Sequence, residues 1–113
     1  MIKKVEAIVR RSALKKILEA LEKTGYPGVT VSEVEGHGKQ RGITQQYRDQ
    51  SHLALIPKLR VEIWVDGAKA AKVAQAIVAA SRTGEIGDGK IFISKVDEVI
   101  RIRTNEKGGK AIG

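Results

Sequence analysis

The chain has 113 residues, with 21 Lys and Arg against 13 Asp and Glu, for a formal net charge of +8. It has no cysteine and two histidines, which excludes a disulfide framework and a thiolate metal site and leaves too few imidazoles for a zinc centre. No apolar run reaches the roughly 18 residues of a membrane-spanning helix and no secretory leader opens the sequence, so the expected location is the cytoplasm.

The basic balance points to an anionic partner, whether nucleic acid, membrane surface or phosphorylated ligand. Aromatic residues, at 4%, argue against a protein that stacks bases of single strands. The length is that of one small domain, which buries only about two thirds of its unfolded surface and gains from oligomerisation.

Val5, Ala7 and Val9 alternate with Glu6, Ile8 and Arg10, as in a strand with one buried face. Ser12 stands where a helix N-cap is expected, and Leu14, Ile17, Leu18 and Leu21 follow with helical spacing. Gly25 and the Pro27-Gly28 pair mark the stop and a turn. A second strand is expected over residues 29–34. From Gly36 to about Pro57 the chain is polar and aperiodic, a long loop of the kind that is usually functional. Leu59 to Val65 alternates as a third strand, with Glu62 and Trp64 opposite Val61, Ile63 and Val65. The Ala-rich stretch 67–81 has strong helix propensity. Ile91-Phe92-Ile93 begins a fourth strand and Val99 to Arg103 a short fifth, before a polar, Gly-rich tail. The order β-α-β-β-α-β is that of an α+β, ferredoxin-like sandwich. Its helices cover one face of an antiparallel sheet, and a homo-oligomer is the simple cover for the other.

The most informative stretch is Thr83-Gly84-Glu85-Ile86-Gly87-Asp88-Gly89-Lys90. Its glycines permit positive φ and convergence of N–H groups on an anion, and Lys90 adds a charge where the loop ends. Arg101 and Arg103, two residues apart, are expected on one strand face. Together these residues read as a polyphosphate site. The plainer alternatives are a tight helix-to-strand connection and a solvated strand face. A Walker-type loop is excluded, because Ile91 follows Lys90 where Ser or Thr is required.

These motifs resemble those of the PII family of nitrogen-regulatory signal-transduction proteins. Residues 82–90 resemble its B-loop, residues 101–113 its C-loop and tail, and residues 36–57 its long T-loop, within a single domain spanning 1–113. The resemblance implies a homotrimer with nucleotide sites in clefts between subunits, sensing ATP, ADP and 2-oxoglutarate without catalysis. Carried over by position, it implies that Gly87, Asp88, Gly89, Lys90, Arg101 and Arg103 meet the phosphates, with Gly36, His37, Gly38 and Lys39 lining the same cleft. Thr30 and Trp64 would flank the adenine. Gln40 would hold Mg²⁺ and 2-oxoglutarate, and Lys58 would pair with a carboxylate of that ligand. The implied partners are ammonium channels and the enzymes and regulators of nitrogen assimilation, with Arg48 as a contact residue. No direct nucleic-acid partner is implied, and the membrane is reached only through a transporter.

The sequence departs from the family pattern in places. No tyrosine beyond Tyr47 stands near the loop tip, so no uridylylation is expected, and Ser51 is the candidate for modification. Lys39 stands where the family leads one to expect arginine. Trp64 is bulkier than the usual aliphatic residue, with oligomer packing as its alternative role. The competing functional readings are a related sensor of another small anion or adenine nucleotide, a basic nucleic-acid-binding module of the same fold, and a slow ATPase.

Overall fold

The computed structural model describes residues 1–26, 28–36 and 56–113. Six elements follow in the expected order: β1 (Ile2–Val9), α1 (Leu14–Glu22), β2 (Thr30–Gly36), β3 (Ile56–Asp66), α2 (Ala70–Ser81) and β4 (Lys90–Val96). The strands form one sheet in the order β2-β3-β1-β4, and every neighbouring pair is antiparallel. This is the ferredoxin-like arrangement.

The period-two pattern explains why the sheet has two unlike faces. Val5, Ala7 and Val9 of β1 and Leu59, Val61, Ile63 and Val65 of β3 are buried on the helix side. They meet Ile17 and Leu21 of α1 and Val73, Ala74 and Ile77 of α2 in one apolar core. Each fully buried Ile, Leu or Val contributes about 1.5–3 kcal/mol. The opposite face has no covering layer among the described residues. At its centre Glu6 of β1 lies directly across from Glu62 of β3, an unfavourable pairing unless compensated. Lys4 bridges both carboxylates, at 2.9 and 3.3 Å, and Arg60 reaches Glu6 at 3.4 Å. These bonds raise the Lys4 pKa and lower that of Glu6.

Three local expectations need correction. Ser12 is not an N-cap. The chain enters α1 through a 3-10 turn, Arg11–Ala13, whose Ala13 N–H bonds to the Arg10 carbonyl, so Ser12 sits inside the turn instead of in front of the helix. On the other helix Asp66, unmarked in the sequence reading, accepts from Ala68 N–H at the start of the 3-10 turn Gly67–Lys69.

The second correction concerns the strand ends. Gly36, Ile56 and Pro57 belong to β2 and β3, where Gly36 pairs with Ile56 and Glu35 with Pro57. Proline is tolerated there because β1 ends opposite Leu59, so β3 is an edge strand on that side at Pro57.

The third is the fifth strand, which does not form. Residues 102–104 are a turn, Asn105 has φ of 61°, and only an isolated bridge joins Ile100 to Lys107. The alternation of Ile and Arg was misleading because no sheet edge lies alongside to pair with it. Ile102 is 98% exposed.

Candidate functional site

The Gly-rich connection from α2 to β4 is organised by Asp88. Its Oδ2 accepts from the N–H groups of Thr83 and Gly84 at 2.8 and 2.9 Å. Its Oδ1 accepts from the Thr83 hydroxyl at 2.5 Å and from Arg10 Nη2 at 2.7 Å. Bonds from Thr83, from both its hydroxyl and its N–H, are the main reason the carboxyl pKa falls from 3.8 to about 2. Gly84, Gly87 and Gly89 all have positive φ. At Gly89 a side chain is also sterically impossible without rearrangement: a Cβ there would lie 1.9 Å from the Ile8 carbonyl oxygen of β1. Glycine is needed at this point for close backbone approach as well as for conformation.

Lys58 lies beside this loop. It is 9% exposed, and its Nζ donates to the Gly87 carbonyl at 3.1 Å. Burial first, then the neighbouring Arg10 charge, lowers its pKa, while Asp88 acts in the opposite sense. Gly36 packs on the same side chain, since its Cβ position lies 3.5 Å from Lys58 Cγ. Lys90 opens β4, is exposed, and pairs across the sheet with Ile8. Gly36, Lys58, Gly87, Asp88, Gly89 and Lys90 are therefore gathered at the end of the sheet where β1 finishes. The Asp88 carboxylate is engaged within the loop. The exposed Lys90 ammonium stands beside this loop as a candidate donor for an anion.

Other expected site residues lie elsewhere. Trp64 is half-buried on the open face and pairs with Lys4 near the start of β1. Six residues of extended chain, roughly 20 Å, separate it from Lys58. Thr30 is exposed opposite Glu62, on the same face. Arg101 belongs to a C-terminal hook at the far end of the sheet, where Lys107, Gly108 and Gly109 share a shallow cavity of about 590 Å³ with Met1, Ile2 and Val96. Arg103 is exposed in the turn. The two arginines do not share a strand face, because there is no strand. One protomer therefore holds the expected residues as two separate groups. His37, Gly38, Lys39, Gln40, Arg48 and Ser51 lie outside the described residues.

Sequence reasoning missed Arg10. It closes the β1 alternation and would be read as an outward-facing charge. Its ion pair with Asp88 joins residues 78 positions apart, and no local pattern encodes it.

Among the described residues no helix is long and apolar enough to cross a membrane. The family model for nitrogen regulatory protein P-II matches residues 2–106. The chain is 52% identical over 112 residues to the nitrogen regulatory protein P-II of Nostoc punctiforme, covering 98% of this chain and all of that one. It is 48% identical to nitrogen regulatory protein P-II 2 of Methanothermobacter thermautotrophicus, covering 98% and 97%. Among solved structures, that of Arabidopsis thaliana PII bound to citrate superposes with a TM-score of 0.81 at 42% identity, covering 97% of this chain and 91% of that one. With the fold, the Gly-rich loop and these matches in agreement, the chain belongs to the nitrogen regulatory protein P-II family.

Proposed function

We propose that the protein is a non-enzymatic sensor that binds ATP or ADP, and 2-oxoglutarate with Mg-ATP, in clefts between the subunits of a homotrimer. It controls partner proteins through residues 36–57. The observation that carries this reading is the Asp88-braced loop, whose positive-φ glycines lie beside Lys90 and the buried Lys58. A loop already held in shape binds a polyphosphate without a large ordering cost. The ammonium beside it suits phosphate oxygens.

The separation within one protomer supports an intersubunit placement. Trp64 and the hook bearing Arg101 and Arg103 lie at the other end of the sheet from the loop. A single site using both groups needs two copies of the chain. Exposed apolar residues support such an assembly: Phe92 at 54%, Ile100 at 50% and Ile86 at 52% would be covered. The citrate on the Arabidopsis relative is a small polycarboxylate, which is in keeping with a small organic anion here.

Mg²⁺ is a hard cation that takes oxygen ligands and is commonly bound through substrate phosphates. Among the described residues no group of three His, Cys, Asp or Glu could hold an ion by itself. The ion would arrive with the nucleotide, with the amide oxygen of Gln40 as a protein ligand. Lys58 would then exchange the Gly87 carbonyl for a ligand carboxylate. Nitrogen-assimilation enzymes, regulators or an ammonium channel are the proposed partners, the last recruiting a cytoplasmic protein to the membrane through Arg48.

Calorimetric titration with ATP and ADP, each with Mg²⁺ and with or without 2-oxoglutarate, tests the reading. Binding of 2-oxoglutarate only alongside Mg-ATP is expected. Nucleotide binding without any response to 2-oxoglutarate would turn the search to another small anion. Binding of neither would refute the proposal.

A further inference from the structure

Arg101 is held by its own C-terminal segment. Its Nη1 bonds Glu106 Oε1 at 3.0 Å. Its Nη2 donates to the main-chain oxygens of Lys110 at 2.9 Å and Gly113 at 2.5 Å. The segment is shaped for this grip. Asn105 N–H bonds to the Arg101 carbonyl, Arg101 N–H to the Glu106 carbonyl, and Gly108 N–H to the Val99 carbonyl. Thr104 donates to Glu106 Oε1 at 2.8 Å and aims that carboxylate at the guanidinium. A short 3-10 segment, Gly108–Ala111, then brings the last main-chain oxygens over the arginine.

A phosphate that takes an arginine bidentately needs two N–H groups of the same fork. Both terminal nitrogens of Arg101 are already in use, one by the Glu106 carboxylate and one by the main-chain oxygens of Lys110 and Gly113. We propose that residues 106–113 are an internal competitor for Arg101: they occupy its guanidinium, and a nucleotide polyphosphate displaces them. This deepens the nucleotide reading above and rests on it. The two bonds at Nη2 are solvent-exposed, and a polyphosphate offers several charged oxygens to replace them. Hydrogen bonds between charged partners are roughly twice as strong as neutral ones. The exchange is also a filter. A ligand with too little negative charge does not release the hook, and Arg101 stays out of reach.

The experiment compares ATP affinity by calorimetry in the full chain, a chain ending at Lys107, Arg101→Ala, and the two changes combined. Residues 108–113 are not part of the apolar core, so the shortened chain is expected to fold, which circular dichroism checks. Losing the competing main-chain bonds should tighten ATP binding about three- to thirtyfold. Arg101→Ala should weaken binding and erase the gain from shortening. In the full chain, saturating ATP should speed amide hydrogen exchange across residues 105–113. Equal ATP affinity in full and shortened chains, or a gain that survives in Arg101→Ala, would overturn the inference while leaving the nucleotide reading intact. Failure of all four proteins to bind ATP would overturn both.

Discussion

Substitution of Gly89 by Ala separates two costs that a positive-φ glycine can carry. The backbone there has φ of 100°, so any L-residue bears conformational strain of about 1–3 kcal/mol. The new Cβ would also lie 1.9 Å from the Ile8 carbonyl oxygen and 3.0 Å from its carbon. These are backbone atoms of a central strand, and no rotamer relieves them. Relief requires the start of β4 to move away from β1, at the Ile8–Lys90 pair, and one or two sheet bonds are lost at about 1 kcal/mol each. The sum is about 2–5 kcal/mol, a large part of the ~5–15 kcal/mol that holds a domain together. Gly84→Ala is the control. Its φ is 88°, but nothing lies within 4 Å of its Cβ position, so it carries the conformational cost alone. Thermal unfolding at matched protomer concentration should fall by about 8–20 °C for Gly89→Ala. The fall for Gly84→Ala should be smaller by the share of the lost sheet bonds, about 1–2 kcal/mol. Equal destabilisation by the two changes would show that the contact with β1 is not what requires glycine, and would refute the reasoning.

Asp88→Asn should soften acid unfolding: a carboxyl held at about 2 against 3.8 when unfolded adds stability above pH 4 that drains away as pH falls towards 2, so the variant should lose less stability across that window than wild type, with the lowered Glu6 contributing the same loss to both. If wild type and variant lose stability in parallel between pH 4 and 2, Asp88 is not the group responsible. Ile63→Ala, in the fully buried centre of β3, should cost about 2–5 kcal/mol in a denaturant titration, and a loss under 1 kcal/mol would mean that the core collapses around the cavity. Lys58→Ala should weaken 2-oxoglutarate binding while sparing ADP, and equal loss of both would make Lys58 a support for the loop instead of a ligand contact.

The fold was legible where residues alternate between unlike environments. Val5, Ala7 and Val9, and then Val61, Ile63 and Val65, are buried without exception, because a strand between helices and an open face has one apolar side. The helical spacing of Ile17 and Leu21 was equally plain. Alternation failed at Ile100, Arg101 and Ile102. It records a pattern of side chains and says nothing about whether a neighbouring strand is present to bond with. Asn105 and Gly108, both at positive φ, reverse the chain before it could form a fifth strand. The exact ends of β2 and β3 were hidden for a related reason: Gly36 and Pro57 look like loop residues, but each sits where its strand needs no further partner.

The site was half legible. Glycines that take positive φ leave a local signature, and residues 84–89 carry it. The grip that shapes the loop does not, because Arg10 and Asp88 meet only once β1 and β4 are paired. The same holds for Lys58, whose bond to Gly87 ties the strand that follows residues 37–55 to the Gly-rich loop. That bond has a mechanical consequence. A ligand carboxylate that draws Lys58 away from Gly87 acts on both segments at once, since one side chain stands between them. Burial weakens the hold of the proton on Lys58 and makes its ammonium costly to leave unpaired. On the proposed reading, the side chain would exchange its bond to Gly87 for one to the ligand carboxylate. A two-position contact of this kind is what an effector needs in order to bias a distant loop.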